Sequence, residues 1–176
     1  MVARISVGKN LYGALAYNQN KVDEGGAKIL SAHLLRYPED GRFRPDESVR
    51  QFLEWMPNHY RTEKPVIHIS LNPHPDDVLT DGQLAEIGRE YMQRLGYGNQ
   101  PYLVFKHEDI GRHHIHIVSL RVDSEGRKVS DKFEYRRSKE ITELLEQKYG
   151  LHPAEGRKKG EEWQLKPVDV AKGDIK

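Results

Sequence analysis

Three histidines that could ligate a metal fall within one ten-residue stretch, His107-Glu-Asp-Ile-Gly-Arg-His-His114-Ile-His116, and the apolar run Ile117-Val-Ser-Leu-Arg-Val122 follows at once. Imidazole is the commonest metal-ligating side chain near neutral pH. Residues two apart on a strand leave by the same face, so His114 and His116 would present two ligand nitrogens side by side. His107 would bring a third from the segment just before. Three nitrogens make half of a divalent cation's coordination shell and leave the other half open for substrate. His113 would face the other way and is set aside. Burying several imidazoles without partners would cost about a few kcal/mol, a cost that a metal or a nucleic acid would relieve. Asp109 is expected to accept the free ring N–H of a ligand histidine, fixing its tautomer and raising its basicity; direct ligation is its second possible role. His33, His59, His68, His74 and His152 read as bystanders, with His68 and His74 the two to inspect.

Rigid elements must hold these side chains. Tyr102-Leu-Val-Phe105 reads as a strand that delivers His107 at its end, and His114 to Val122 as the next strand. A connection this short makes them an antiparallel pair. Upstream, Ala3 to Val7 reads as a short strand, Leu11 to Val22 as a helix stopped by Gly25-Gly26, and Val66 to Leu71 as a strand ended by Asn72-Pro73. Lys28 to Leu35 fits a strand or a short helix. Val49, Phe52, Leu53 and Met56 follow the helical i, i+3, i+4, i+7 spacing in a helix from Asp46 to Tyr60 that Pro57 ends or kinks. Thr80 to Leu95 opens on a capping box, Thr80-x-x-Gln83, and stops at Gly96. A last helix runs from Ser138 to Lys148. The order predicts an α+β fold: a largely antiparallel sheet with helices mainly on one face, the metal site lying on the central strands of the other.

The chain has 176 residues, 36% hydrophobic and 31% charged, no cysteine, and a net charge of +1. One domain with a modest core fits these values, with residues 1–152 as the domain and 153–176 as a charged tail or linker. Disulfides, iron–sulfur clusters and thiolate zinc sites are excluded. No apolar run approaches the roughly 20 residues of a membrane span, and the N-terminus lacks a signal-peptide core; a cytoplasmic protein is expected. Near-neutral net charge hides a local basic patch, Arg127, Lys128, Lys132, Arg136 and Arg137, which could hold phosphates. Phe133 and Tyr135, interleaved with it, could stack on bases or belong to the core.

The pattern His107-x-Asp109-x-x-x-x-His114-x-His116, running into a hydrophobic strand, resembles the third motif of plasmid relaxases of the MobA/VirD2 type, which are HUH endonucleases. Gly13-Ala-Leu-Ala-Tyr17-Asn-Gln-Asn-Lys21 looks like their first motif, and the likeness runs over residues 1–150. The resemblance implies a site- and strand-specific single-stranded DNA endonuclease. It would nick at a transfer origin through a covalent 5′-phosphotyrosine, leave a free 3′ hydroxyl, and religate the strand later, initiating DNA mobilization in the bacterial cytoplasm. Tyr17 would be the nucleophile, with Tyr12 the competitor five residues earlier. Mg2+ or Mn2+ is the expected ion; Zn2+, Ni2+ or Co2+ would also suit the site. The expected partners are the single strand itself, accessory mobilization proteins and the conjugative coupling machinery.

Three other readings use the same residues. A replication initiator of the HUH type would place its tyrosine after the histidines, where Tyr135 and Tyr149 stand. A non-catalytic nucleic-acid-binding module would keep the fold alone. A metallohydrolase would activate water and use no tyrosine.

Overall fold

The computed structural model describes residues 1–36, 40, 42, 44–108 and 113–154. Nine elements follow in the order β1 (Val2–Gly8), α1 (Leu11–Asp23), β2 (Ala27–His33), α2 (Pro45–Trp55), β3 (Val66–Asn72), α3 (Asp81–Leu95), β4 (Tyr102–His107), β5 (His114–Leu120) and α4 (Glu134–Tyr149). The five strands form one sheet in the order β1-β3-β5-β4-β2, with every neighbouring pair antiparallel. This is the expected α+β architecture, and the histidine strands are central in it. The ambiguous stretch after Gly26 is an edge strand with a register shift between Ile29 and Ser31.

Alternation sorts the strands into two faces. Ile67, Ile69 and Leu71 of β3, Val104 of β4, and Ile115 and Ile117 of β5 join Leu84, Ile87, Tyr91 and Leu95 of α3 and Ile141 and Leu145 of α4 in the larger core. On the other face Val66, Leu103, Phe105, Val118 and Leu120 pack against Leu11 and Leu15 of α1 and Phe52 of α2. The two longest helices thus back one face, while α1 and α2 cover part of the other and leave the histidine side chains beside α1.

Two helix boundaries differ from the sequence reading for local reasons. Helix α2 stops at Trp55 because Met56 is extended, with ψ 144; a residue before proline, here Pro57, is driven out of the helical region. Helix α4 begins a turn earlier than expected, behind Phe133, which has φ 55 and no capping side-chain hydrogen bond. A start without Ser, Thr, Asp or Asn at the cap carries no sequence signal. Helix α3 begins and ends as its sequence predicts, with a complete capping box at Thr80 and Gln83 and a left-handed Gly96.

Gly88 brings α3 close against the histidine strand. A Cβ there would lie 3.1 Å from Ile115 Cδ1 and 3.7 Å from Val104 Cγ1 and Ile117 Cδ1. Ile115 separates His114 from His116, so the helix supports the site from behind. Overpacking of such a contact costs about 1–3 kcal/mol. Gly88→Leu is therefore expected to lower unfolding free energy by about that amount in a urea titration, with an unchanged midpoint as the opposing result.

Candidate metal centre and its tyrosine

The register of the central strand pair builds the site. His107 stands directly opposite His114, and His116 stands opposite Phe105. Residues facing each other across a ladder share a face, so the three imidazoles converge. Ring centroids lie 3.9 Å apart for His107 and His116, 4.9 Å for His114 and His116, and 5.4 Å for His107 and His114. One ligand nitrogen from each lies within 4.8 Å of the others. Metal–nitrogen bonds of about 2.0–2.1 Å would draw them together by small side-chain rotations. His113 is turned away from the cluster and has Nδ1 3.4 Å from Glu108 Oε2. Asp109 lies outside the described residues.

Two residues that the sequence reading did not assign orient the rings. Asn18 on α1 is fully buried. Its Nδ2 donates to Ala14 O at 2.8 Å, and its Oδ1 lies 2.8 Å from His107 Nε2. An amide oxygen only accepts, so His107 Nε2 donates in this bond and the ring is held in one orientation. Asn18 continues the stripe Leu11, Leu15, Asn18, Val22 at helical spacing. A polar side chain standing on that apolar stripe was the signal that could have found it. On β3, His68 Nε2 lies 3.2 Å from His116 Nδ1. His68 was grouped with the bystanders, since no sequence pattern shows that β3 pairs with β5. The true bystanders among the described residues have other partners: His33 Nε2 lies 2.7 Å from Gly98 O, and His152 stacks on His74 and contacts Asp77.

Two rings of the cluster, His68 and His116, are held neutral at physiological pH. Burial pushes His68 down to about 4. Burial, then the neighbouring His107, His68 and His114, pushes His116 down to about 2. Neutral imidazoles keep the lone pairs that a cation needs. Among the described residues these three histidines are the group whose donor set fits a metal ion, and nitrogen donors with open positions suit a divalent transition metal.

Tyr17 precedes Asn18 on the same helix and stacks on His107, with ring centroids 6.2 Å apart and planes 22° apart. It is 52% exposed, and Lys21 Nζ lies 5.9 Å from its ring centre. Tyr12 is also exposed, and among the described residues the tyrosine ring stacked on the cluster is that of Tyr17. The basic patch is not brought to the cluster. Arg127 pairs with Asp123 and Glu125, and Lys128 with Asp131. Arg137 donates to the carbonyls of Lys132, Leu95 and Ser130 and so serves the fold. Lys132 and Arg136 lie over the Phe133 ring at the start of α4.

Two outcomes follow from this geometry. Loss of a residue that orients a metal-ligating histidine typically costs 10–100-fold in metal affinity. Asn18→Ala should weaken Mn2+ binding by roughly that factor in calorimetric titration; an unchanged affinity would reduce Asn18 to a space-filler. In metal-free protein, His68 and His116 stay neutral while an unfolded histidine takes up a proton. The unfolded chain therefore binds more protons below pH 6.5, and stability falls as pH falls from 6.5 towards the folded value of about 4 for His68. Urea midpoints measured across that window should decline, less steeply in His68→Gln.

Comparison with known proteins agrees with this picture. A family model described as relaxase, MobA/VirD2-like, nuclease domain matches residues 17–151. Among solved structures, the chain is similar to the MobM relaxase domain bound to plasmid pMV158 oriT DNA, a Mn-bound crystal structure, with a TM-score of 0.60 and 16% identity over 99% of this chain and 98% of that one. Identity this low speaks for the fold. None of the curated proteins matches the chain.

Proposed function

The chain belongs to the MobA/VirD2-like relaxase nuclease family, and on that premise we propose that it nicks one DNA strand at a transfer origin, using Tyr17 as the nucleophile. The observation that carries this reading is the seating of Tyr17 on His107, one residue from the Asn18 that holds the same ring. Tyrosine is a poor nucleophile at neutral pH because a phenol ionises near pH 10. A divalent cation held by His107, His114 and His116 would polarise a non-bridging oxygen of the scissile phosphate and stabilise the charge of the transition state. Tyr17 Oη attacks phosphorus and gives up its proton to solvent. The bond to the 3′ oxygen breaks, and that oxygen leaves as a 3′ hydroxyl once protonated. The 5′ phosphate stays on the tyrosine as a phosphodiester. Since one phosphodiester has replaced another, the 3′ hydroxyl can later attack the phosphotyrosine and rejoin the strand without an external energy source.

The surroundings support this assignment. Tyr135 and Tyr149, where a replication initiator would carry its nucleophile, stand on α4, which backs the opposite face of the sheet. The related MobM domain was crystallised with Mn and oriT DNA, which supports a divalent ion and a DNA strand for this chain as well. Mn2+ or Mg2+ is the proposed ion, and Asp109 the proposed carboxylate beside His107. Residues 1–152 form the proposed nuclease domain, with 153–176 as a charged tail or linker. The proposed setting is the bacterial cytoplasm, with accessory mobilization proteins and the coupling machinery as partners. No helix among the described residues is long and apolar enough to cross a membrane.

The test uses single-stranded oligonucleotides tiled across the mobilization region beside the gene, incubated with the protein and Mn2+ and run on a denaturing gel. A protein–DNA adduct is expected from wild type and Tyr12→Phe, and none from Tyr17→Phe. An adduct that survives Tyr17→Phe and disappears in Tyr12→Phe would move the nucleophile. Cleavage without any adduct would point to activated water.

A further inference from the structure

The sheet face that carries the histidine cluster is open towards the edge strand β1. Helix α1 packs on this face over β2 and β5. Beyond β3, Val2, Arg4 and Ser6 of β1 point to the same face, since Ala3 and Ile5 between them pack into the larger core on the other. All three are exposed. The register sets them in rows with the site. Arg4 pairs with Ser70, and Ser70 pairs with His116. One row across the strands therefore reads Arg4, Ser70, His116. Two strand spacings, about 10 Å, separate the backbone of Arg4 from that of His116. Tyr17 stands over His107 on β4, so the nucleophile and Arg4 flank the cluster from opposite sides.

The side chains of this row are available to a ligand. Neither β1 nor β3 carries an Asp or Glu, and the Arg4 guanidinium has no carboxylate partner among the described residues. Arg89 on α3, behind the opposite face, differs in holding Glu86. Ser70 Oγ accepts from Asn72 Nδ2 at 3.1 Å, which leaves the hydroxyl hydrogen to donate. The open face thus offers a positive fork and a hydroxyl donor, with no negative charge on either strand to compete for them. A guanidinium matches phosphate with two parallel N–H donors. Charged side chains on an edge strand also discourage pairing with other sheets. That role asks nothing of β3, whereas here Ser70 adds a second donor between the arginine and the metal-ligating histidine.

We propose that Arg4 and Ser70 form a phosphate site for the single strand engaged at the histidine cluster, holding the phosphate next to the scissile one. The inference rests on the nuclease reading above. With α1 and Tyr17 walling one side of the cluster, the strand leaves it across β3 and β1. The neighbouring phosphate then receives the Arg4 guanidinium through two N–H donors and the Ser70 hydroxyl through one. All three donors address phosphate oxygens, so the contact reads no base and serves any sequence. It fixes the register of the strand, and so which phosphate stops in front of Tyr17. This surface is separate from the basic patch between Arg127 and Arg137, which the fold does not bring to the cluster.

Fluorescence anisotropy with a labelled oligothymidylate, repeated over a NaCl series in Mn2+ buffer, tests the site. Each phosphate neutralised on a single strand adds about 0.7 to the slope of log affinity against log salt. Arg4→Gln is expected to bind about tenfold more weakly at low salt, as the loss of one charge-assisted contact implies, and to lower the slope by about 0.7. The position is exposed, and an unchanged melting temperature confirms that the variant folds. Arg4→Lys keeps the charge but loses the fork; it should keep the wild-type slope and bind with intermediate affinity. Ser70→Ala removes a neutral donor and should weaken binding by about threefold with the slope unchanged. Arg89→Gln, an equal loss of charge behind the opposite face, should match wild type. Wild-type affinity and slope in Arg4→Gln, or the same losses in Arg89→Gln, would overturn the phosphate site. A wild type that binds no oligothymidylate even at low salt would overturn it too. In each case the nuclease reading stands if the tiled oligonucleotides still give the Tyr17 adduct, and falls separately if they do not.

Discussion

One rung of strand pairing, His107 opposite His114, is the constraint on which the rest of the site depends. It converts two stretches of chain into a single cluster of nitrogens, with His116 one alternation further along β5. Side chains alternate with a period of two, so a one-residue slip of either strand would turn its histidines to the other face. That face is filled by Ile115, Ile117, Val104 and the helix behind them, and could not accept imidazoles. The apolar core on one side thus fixes the ligand geometry on the other. Gly88, with Ile115 Cδ1 3.1 Å from where its Cβ would be, lets helix and strand approach closely.

The front of the cluster is set by α1. Asn18 links that helix to His107 by a buried hydrogen bond, so the position of the preceding Tyr17 is tied to the orientation of a candidate ligand. In the proposed reaction the distance between nucleophile and cation is therefore not left to a mobile loop. Such pre-arrangement matters for phosphoryl transfer, where positioning and charge stabilisation supply most of the catalysis.

Much of this was legible in the sequence because local patterns carried it. The His-x-His spacing, the capping box of α3 and the left-handed Gly96 each depend on residues near one another in the chain. The unread parts depend on long-range pairing or on caps without a signature. His68 joins the site because β3 pairs with β5, a neighbour relation that no periodicity reveals. Asn18 meets His107 across 89 positions of chain, although its place on the apolar stripe of α1 hinted that it had a buried partner. The early start of α4 at Phe133 follows from a left-handed residue with no capping side chain. Clustering in sequence made the basic patch look like one surface, whereas folding divides it: Arg137 is tied to backbone carbonyls, and Lys132 and Arg136 to an aromatic rim.

The central claim is that one divalent cation joins these three histidines beside Tyr17. Anomalous diffraction at the manganese edge, from crystals grown with Mn2+, tests it most directly. A single strong peak is expected, bonded to one nitrogen each of His107, His114 and His116, with the Tyr17 ring still packed at the mouth of the site. Manganese bound elsewhere, or a cluster that stays metal-free at saturating Mn2+, would contradict it.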